Sequence, residues 1–449
     1  MMRKATTTLT GLIGLLVPLA VVGAMGAGAP AHAAEQSCDG RPATIVATVP
    51  TTWPIIPVVG TPGDDVIVGT SGHDRIDGAG GNDVICGLAG GDHLTGGEGD
   101  DRLFGGLDGD YDVDNGYPGD LLVPGPGNDH VDIGVDLQSL NLWEGDPVDG
   151  LDRISYADSA AGVTADLATG RATGEGRDTI VVGGAFGVIG SPFDDHLTGT
   201  DEMNFFKAGA GADTIVAGDG DDVIWPDETI PADGAPEDRD VVEAGDGRDR
   251  ISFSGGDAVD AGPGNDHVFG SSEARGSVSG GTGRDWLHIE GSGAMAVRGG
   301  AGNDHIIATY THRGRYALDG GSGRDNMSVR IASTVPEQRI TVDVSERRIS
   351  LAGHRASVRL SGVETLHMKG KGRKKTGLTY IGSNRDDSFA VGSAAFSVRA
   401  HGLGGNDSLG GGNGRDFLDG GPGRDTLDGN GAVDRCVNGE KTSLCEIRR

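Results

Sequence analysis

The hydrophobic pattern of this chain is built from very short alternations. Val66-Ile67-Val68, Arg75-Ile76-Asp77, Val84-Ile85-Cys86, His93-Leu94-Thr95 and Arg102-Leu103-Phe104 each place an aliphatic residue between two outward positions, and they recur every nine residues. Alternation with period two predicts three-residue strands whose middle side chain points inward. Between the strands lie six-residue stretches rich in glycine and aspartate, from Gly60-Thr61-Pro62-Gly63-Asp64-Asp65 onward, which read as turns. Numbering each unit from its first glycine, positions one to six form the turn and positions seven to nine the strand. Five gapless units start at 60, 69, 78, 87 and 96, with an aliphatic residue always at position eight. Helix signals are nearly absent. The expected fold is all-β: a parallel β-roll or β-helix solenoid with two nine-residue units per coil, interrupted by motif-poor coils.

The same grid returns at 190, 199, 208 and 217, and again at 402, 411, 420 and 429. In between, Asp249, Asp266, Asp285, Asp304 and Asp325 recur at about twice the unit length, as expected if one edge of the solenoid keeps its acidic turns while the other has drifted. Residues 162–199 and 339–392 resemble each other: an alternating strand, a polar turn, an apolar strand, and a closing G-S-x-x-D-D unit. Both read as motif-poor coils of the same solenoid. The organisation expected is a signal peptide over 1–33 and an N-terminal cap over 34–59. Repeats follow over 60–113, a degenerate solenoid segment over 114–189, and repeats, partly one-sided, over 190–328. A motif-poor segment over 329–381, repeats over 382–437 and a disulfide-bearing tail over 438–449 complete it.

Composition sharpens this picture. Of 449 residues 83 are glycine, aromatics make up 4%, and the formal net charge is −30. Such a chain has few large side chains for an ordinary core and lies near the disorder boundary unless its charge is neutralised. Arg3 and Lys4, the apolar run Leu9 to Val22 and the Ala31-His32-Ala33 site read as a secretory signal, and no later segment is apolar enough to span a bilayer. Four cysteines, Cys38, Cys86, Cys436 and Cys445, suggest two disulfides in an exported chain. Three pairings are open, and proximity favours Cys38–Cys86 and Cys436–Cys445.

Carbonyl-rich glycine turns carrying a short carboxylate at position six describe a site for a hard cation with six to eight oxygen ligands, which is calcium chemistry. The units GGTGRDWLH (280–288), GGAGNDHII (299–307), GGSGRDNMS (320–328), GGNGRDFLD (411–419) and GGPGRDTLD (420–428) resemble the G-G-x-G-x-D-x-U-x repeats of the RTX, or haemolysin-type calcium-binding, family. The resemblance implies a right-handed parallel β-roll with Ca²⁺ ions between stacked turns, held by turn carbonyls and the position-six aspartate. Carried over unit by unit, it makes candidate metal residues of Gly63 and Asp65, Gly72 and Asp74, Gly81 and Asp83, Gly90 and Asp92, and Gly99 and Asp101. In the middle repeats they are Asp195, Gly211 and Asp213, Gly220 and Asp222, Asp240, Gly247 and Asp249, Gly264 and Asp266, Gly283 and Asp285, Gly302 and Asp304, and Gly323 and Asp325. In the last repeats they are Asp387, Gly405 and Asp407, Gly414 and Asp416, and Gly423 and Asp425. Asn204 at position six, Asp108 in place of a turn glycine and Phe193 at position four depart from the pattern.

Other chemistries account for less. The run Asp108 to Gly116 lacks the glycine and the closing glutamate of an EF-hand loop and reads as a decayed repeat. His93, His130, His196, His267 and His305 all fall at position seven, and those two coils apart are too distant to share a zinc ion. Lys369, Lys371, Arg373, Lys374 and Lys375 read as a solvated loop, and a cell-surface polyanion or glycan is the partner a contact there would take. Nucleic acid is disfavoured by the negative charge. There is neither H-E-x-x-H nor G-x-S-x-G, so no enzyme is expected. The expectation is a secreted, non-enzymatic protein that folds on binding multiple Ca²⁺ ions. The alternatives are a calcium-stiffened adhesion protein at the cell surface or matrix and a polysaccharide-active β-helix enzyme.

Overall fold

The computed structural model describes residues 36–48, 56–107, 119–135, 151–184, 186–227, 239–271, 274–290, 294–310, 316–331, 339–344, 347–351, 357–361, 365–370, 377–392 and 397–448. The signal segment, the run 108–116 and the lysines and arginine at 371–375 lie outside them.

Each nonapeptide supplies one turn and one short strand, and two units make a coil. Strands therefore pair with strands two units away. Ile67 lies opposite Ile85, which lies opposite Leu103 and then Val131. On the other side Ile76 lies opposite Leu94, Leu122 and Ile154 in turn. All of these pairings are parallel, and two ladders follow from them. The first runs from Ile45–Val46 through Val66–Val68, Val84–Ala89 and Arg102–Leu107; the second runs from Val58–Val59 through Arg75–Asp77 and His93–Thr95. The fold is a parallel β-solenoid with no helix among the described residues. No described helix is long and apolar enough to cross a membrane.

Position eight builds the core. Ile67, Ile76, Ile85, Leu94 and Leu103 are fully buried, and the same cluster continues through Leu197, Ile224, Leu287 and Leu318 to Leu427. One aliphatic residue per unit is a thin core, so much of the order must come from coil-to-coil hydrogen bonds and from the turns.

The two mutually similar segments do belong to the solenoid, but not as plain coils. In the first ladder Arg177–Val181 pairs in parallel with His130–Val135, and Thr164–Asp166 pairs in parallel with His196–Thr198. Between them Arg171–Thr173 runs antiparallel to both. Residues 339–361 repeat the arrangement, with Arg348–Leu351 antiparallel between Arg339–Asp343 and Ser357–Ser361. Each segment thus threads one reversed strand into an otherwise parallel ladder.

Both ends are pinned. Cys38 is bonded to Cys86 and Cys436 to Cys445, the pairing that proximity favoured. The tail beyond 437 forms strands Lys441–Ser443 and Ile447–Arg448, which pair with Thr426–Asp428 and Arg435–Val437 and complete a last, short coil.

Candidate metal centre

The position-six aspartate is inside the solenoid, and its two carboxylate oxygens have different surroundings. One oxygen belongs to a ladder. The Asp65 N–H donates to Asp83 Oδ1, the Asp83 N–H to Asp101 Oδ1 and the Asp101 N–H to Asp129 Oδ1, each at 2.8 Å. On the opposite edge the chain of bonds runs from Asn204 to Asp222, Asp249, Asp266, Asp285, Asp304 and Asp325. The separations of 17, 19, 19 and 21 residues in the second half of that chain are one coil each, as the drifting spacing in the sequence implied.

The other oxygen divides the turns into two kinds. In most units it is buried without a hydrogen-bond partner. This holds for Oδ2 of Asp83, Asp101, Asp129, Asp213, Asp222, Asp249, Asp266, Asp285, Asp304, Asp407, Asp425 and Asp434. In the turns of Asp83, Asp101, Asp285, Asp304, Asp407, Asp425 and Asp434 it faces a position-one glycine, where bare backbone leaves a small cradle; Asp213, Asp222, Asp249 and Asp266 have alanine at that position and Asp129 has Pro124. A Cβ on Gly78 would strike both Asp83 Oδ2 and the Gly96 carbonyl oxygen, and one on Gly299 would strike Asp304 Oδ2 and the Gly320 carbonyl oxygen. Positions two and four of most of these turns adopt left-handed backbone, as at Gly281 (φ 92°) and Gly283 (φ 131°), conformations glycine takes without a steric penalty, while Gly127 and Gly264 at position four do not. Gly81, Gly90, Gly99, Gly211, Gly220, Gly247, Gly302, Gly323, Gly405 and Gly423 share that geometry at position four.

In the second kind the same oxygen is satisfied by its own turn. Thr61 N–H and Oγ1 donate to Asp65 Oδ2, and Thr70 N–H and Oγ1 donate to Asp74 Oδ2. The Ser191 N–H donates to Asp195 Oδ2 and its Oγ to Oδ1, the Thr200 N–H and Oγ1 donate to Asn204 Oδ1, and the Ser383 N–H and Oγ donate to Asp387 Oδ2. At Asp416 the Gly412 N–H serves alone, at 2.8 Å. Gly63 and Gly72 are absent from the left-handed region in these turns. The six capped turns share a place in the fold. Each is the first turn of its ladder in a run of repeats, following either the N-terminal cap or a reversed-strand segment. A first turn has no repeat turn stacked before it, so its carboxylate must be satisfied from within.

Electrostatics separate the two kinds only in part, since burial also raises the capped Asp195, Asp387 and Asp416. Burial, reinforced by neighbouring carboxylates, pushes Asp213, Asp222 and Asp266 up to about 8 and Asp129 and Asp285 to about 7. Asp249 reaches about 7 and Asp83, Asp101, Asp407 and Asp434 about 6 for the same reasons. Asp65 moves the other way, held below its ordinary value first by the Thr61 N–H. An ionised carboxylate buried with an unpartnered oxygen is costly unless a proton or a cation joins it. The donor set around the cradle is carboxylate and carbonyl oxygen only. That is the hard-oxygen environment calcium takes and that zinc, preferring nitrogen and sulfur, does not.

Several members of the site escape a reading by glycine motif. Asp120, Asp129, Asp152, Asp178 and Asp257 occupy position six in units read as degenerate or drifted. The run Pro124-Gly125-Pro126-Gly127-Asn128-Asp129 is a full turn, with Gly125 left-handed at φ 91°. Asp178 ends that ladder, its Oδ2 accepting from the Tyr156 hydroxyl at 3.1 Å. Asp227, Asp240 and Asp257 bring one oxygen each within 4.8 Å of one another. Position five carries a second, exposed ladder: the Asp100 N–H donates to Asn82 Oδ1, and the Asn128 N–H donates to Asp100 Oδ1. The signal for the missed aspartates was present as aspartate two residues before a buried aliphatic.

Residues 59–94, 87–112, 189–227, 251–274, 296–309 and 401–436 match the model of the RTX calcium-binding nonapeptide repeat (4 copies). The chain carries RTX repeats. The stretches between matches include both reversed-strand segments, where the turn-strand grid is broken. No curated protein matches the chain.

Proposed function

We propose that this is an exported, non-enzymatic protein whose direct activity is to bind multiple Ca²⁺ ions in its stacked RTX turns, and that it orders on binding them. The observation that carries the reading is the row of buried Oδ2 atoms without partners, set among aspartates whose other oxygens are all engaged. Asp83, Asp101, Asp129, Asp213, Asp222, Asp249, Asp266, Asp285, Asp304, Asp407, Asp425 and Asp434 would hold the ions through these oxygens, together with carbonyls of the glycine turns. The capped turns at Asp65, Asp74, Asp195, Asn204, Asp387 and Asp416 would close the arrays without one. Calcium supplies the positive charge that lets these carboxylates be ionised inside the solenoid. The apparent secretory signal and the two disulfides support export to an oxidising compartment. Coupling of metal to folding follows from the thin core and the net charge of −30.

The test is a calcium titration of the mature chain by calorimetry and far-UV circular dichroism, starting from excess chelator. Several ions are expected to bind with a cooperative gain of β-structure at about millimolar concentrations, the range of extracellular calcium modules. Full β-structure in chelator would overturn the coupling, and no heat of binding would overturn the activity.

A further inference from the structure

The outward face of the second ladder changes character between residues 223 and 290. Arg250, His267 and Trp286 stand in register at position seven of successive coils, and Ser252, Phe269 and His288 stand in register at position nine. Trp225 precedes Ser252 in the position-nine row, because Ile224 pairs with Ile251. Ser252 is therefore a small residue between two aromatic ones, and a depression of about 570 Å³ opens over it. Trp225 and Phe269 are two coils apart, about 9–10 Å. Trp225 stands edge-to-face with Phe205 and Phe269 with His288, at centroid distances of 5.1 and 5.4 Å, so the walls on either side of Ser252 are aromatic pairs.

Two features make this a binding surface rather than ordinary strand face. Among the described residues the exposed phenylalanine and tryptophan side chains are Phe193, Phe269 and Trp286, and the last two line this depression at 38% and 47% exposure. The depression also gathers cationic and hydrogen-bonding groups on a chain that is otherwise strongly acidic. Arg250 lies exposed at its edge; His288 lies 3.3 Å from Arg330, and both of these lie beside Glu290, at 3.5 and 4.0 Å, so Arg250 is the cation this edge offers to a ligand.

We infer that this groove binds an acidic polysaccharide, a chain of sugars some of which carry carboxylates. A sugar ring offers C–H faces to the aromatic walls and hydroxyls to Ser252 and His288, while a carboxylate on the ring or its neighbour meets the Arg250 guanidinium. The coil repeat places such contacts along the solenoid axis, so a linear polymer is the natural ligand. A polyphosphate, charged at every unit, is a poor one, since nucleic-acid binding rests on accumulated positive charge and of the two arginines lining the groove Arg248 is already paired with Asp221 at 3.0 Å. The aromatic walls of the groove are outward strand positions, but Asp222 and Asp249 of the acidic turns also line it, so the proposal rests on the chain folded with its calcium, which the experiment holds constant.

The experiment is calorimetric titration of the full mature chain in calcium, its fold checked by circular dichroism in the same samples, with three probes: a linear oligouronate, a neutral β-linked glucan oligomer and a single-stranded DNA oligonucleotide. The oligouronate is expected to bind, the neutral glucan to bind more weakly, and the DNA not to bind. Trp286→Ala should weaken oligouronate binding at least about tenfold, a loss of roughly 1.4 kcal/mol. Phe193→Ala, an exposed aromatic elsewhere, should leave it unchanged, and Arg250→Ala should remove the preference over the neutral glucan. Phe269→Ala gives the same reading as Trp286→Ala if the latter alters the spectrum. Absence of oligouronate binding by folded protein, equal binding in the Trp286→Ala and Phe193→Ala variants, or tighter binding of DNA or of the neutral glucan would each overturn the proposal.

Discussion

The two oxygens of one aspartate carry separate functions in this solenoid, and substitution can pull them apart. Oδ1 accepts a backbone N–H from the previous coil and is structural; Oδ2 faces the cradle and is the candidate ligand. Asparagine keeps an acceptor oxygen and loses the charge. The chain already uses this at Asn204, in a capped turn where the Thr200 N–H donates to Asn204 Oδ1 at 2.7 Å. Asp285→Asn should therefore keep the ladder bond to the Asp266 N–H and lose calcium at that turn, lowering the calorimetric stoichiometry. Ser191→Ala should leave the stoichiometry unchanged. It should lower stability by about 0.5–1.5 kcal/mol, the worth of a hydrogen bond, in urea unfolding with calcium present. Loss of an ion in Ser191→Ala, or none in Asp285→Asn, would show that the two turn classes are wrongly divided.

At the scale of elements, a ladder of stacked turns needs an end, and the last short coil supplies it with glutamates. The Asp434 N–H donates to Glu446 Oε2 at 2.6 Å, and the Asp425 N–H donates to Glu440 Oε2, each taking the place of a further position-six aspartate. Replacing both glutamates by alanine leaves two amides without acceptors. Hydrogen exchange at Asp425 and Asp434 should then quicken by about tenfold, with exchange at Asp83 unchanged. Uniform acceleration along the chain would instead mean that the end coil holds the whole array. The sequence showed this level unevenly. Strand length, inward position eight and the coil-long spacing of Asp249, Asp266, Asp285, Asp304 and Asp325 were legible, because turn and strand chemistry repeat in register. The reversed strands Arg171–Thr173 and Arg348–Leu351 were not, since alternation reports which face is buried and says nothing of direction. The capped turns were hidden for a related reason: Gly60-Thr61 and Gly78-Ala79 open units that share glycine at position four and aspartate at position six, and the hydroxyl at position two that accompanies capping at Asp65 is missing from the capped turn of Asp416, where Gly412 holds that position. Asp129 was overlooked because proline had replaced the first glycine of its unit. The groove over Ser252 is invisible in sequence, as its walls come from three different coils.

At the scale of the whole molecule, the buried carboxylates tie the fold to pH, with opposite sign for the metal-free and calcium-loaded chain. Their ordinary value is 3.8, and in the metal-free solenoid burial first, then neighbouring carboxylates, raise Asp213, Asp222 and Asp266 to about 8 and Asp83 and Asp101 to about 6. A raised folded-state value means that the metal-free fold binds protons the unfolded chain has released. Its stability is therefore fully present below about pH 4 and is lost as pH rises through about 6 to 8. Calcium requires the ionised form, so the stabilisation it gives grows over that same window and is lost on acidification. In excess chelator, lowering the pH from about 8 to about 5 should increase β-structure by circular dichroism, while in excess calcium the same change should lower the thermal midpoint. Proton and calcium then compete for the same oxygens, and the apparent calcium affinity should fall steeply below about pH 6. Two curves that move in the same direction with pH would place the coupling outside the position-six carboxylates, and with it the reason for burying so many of them.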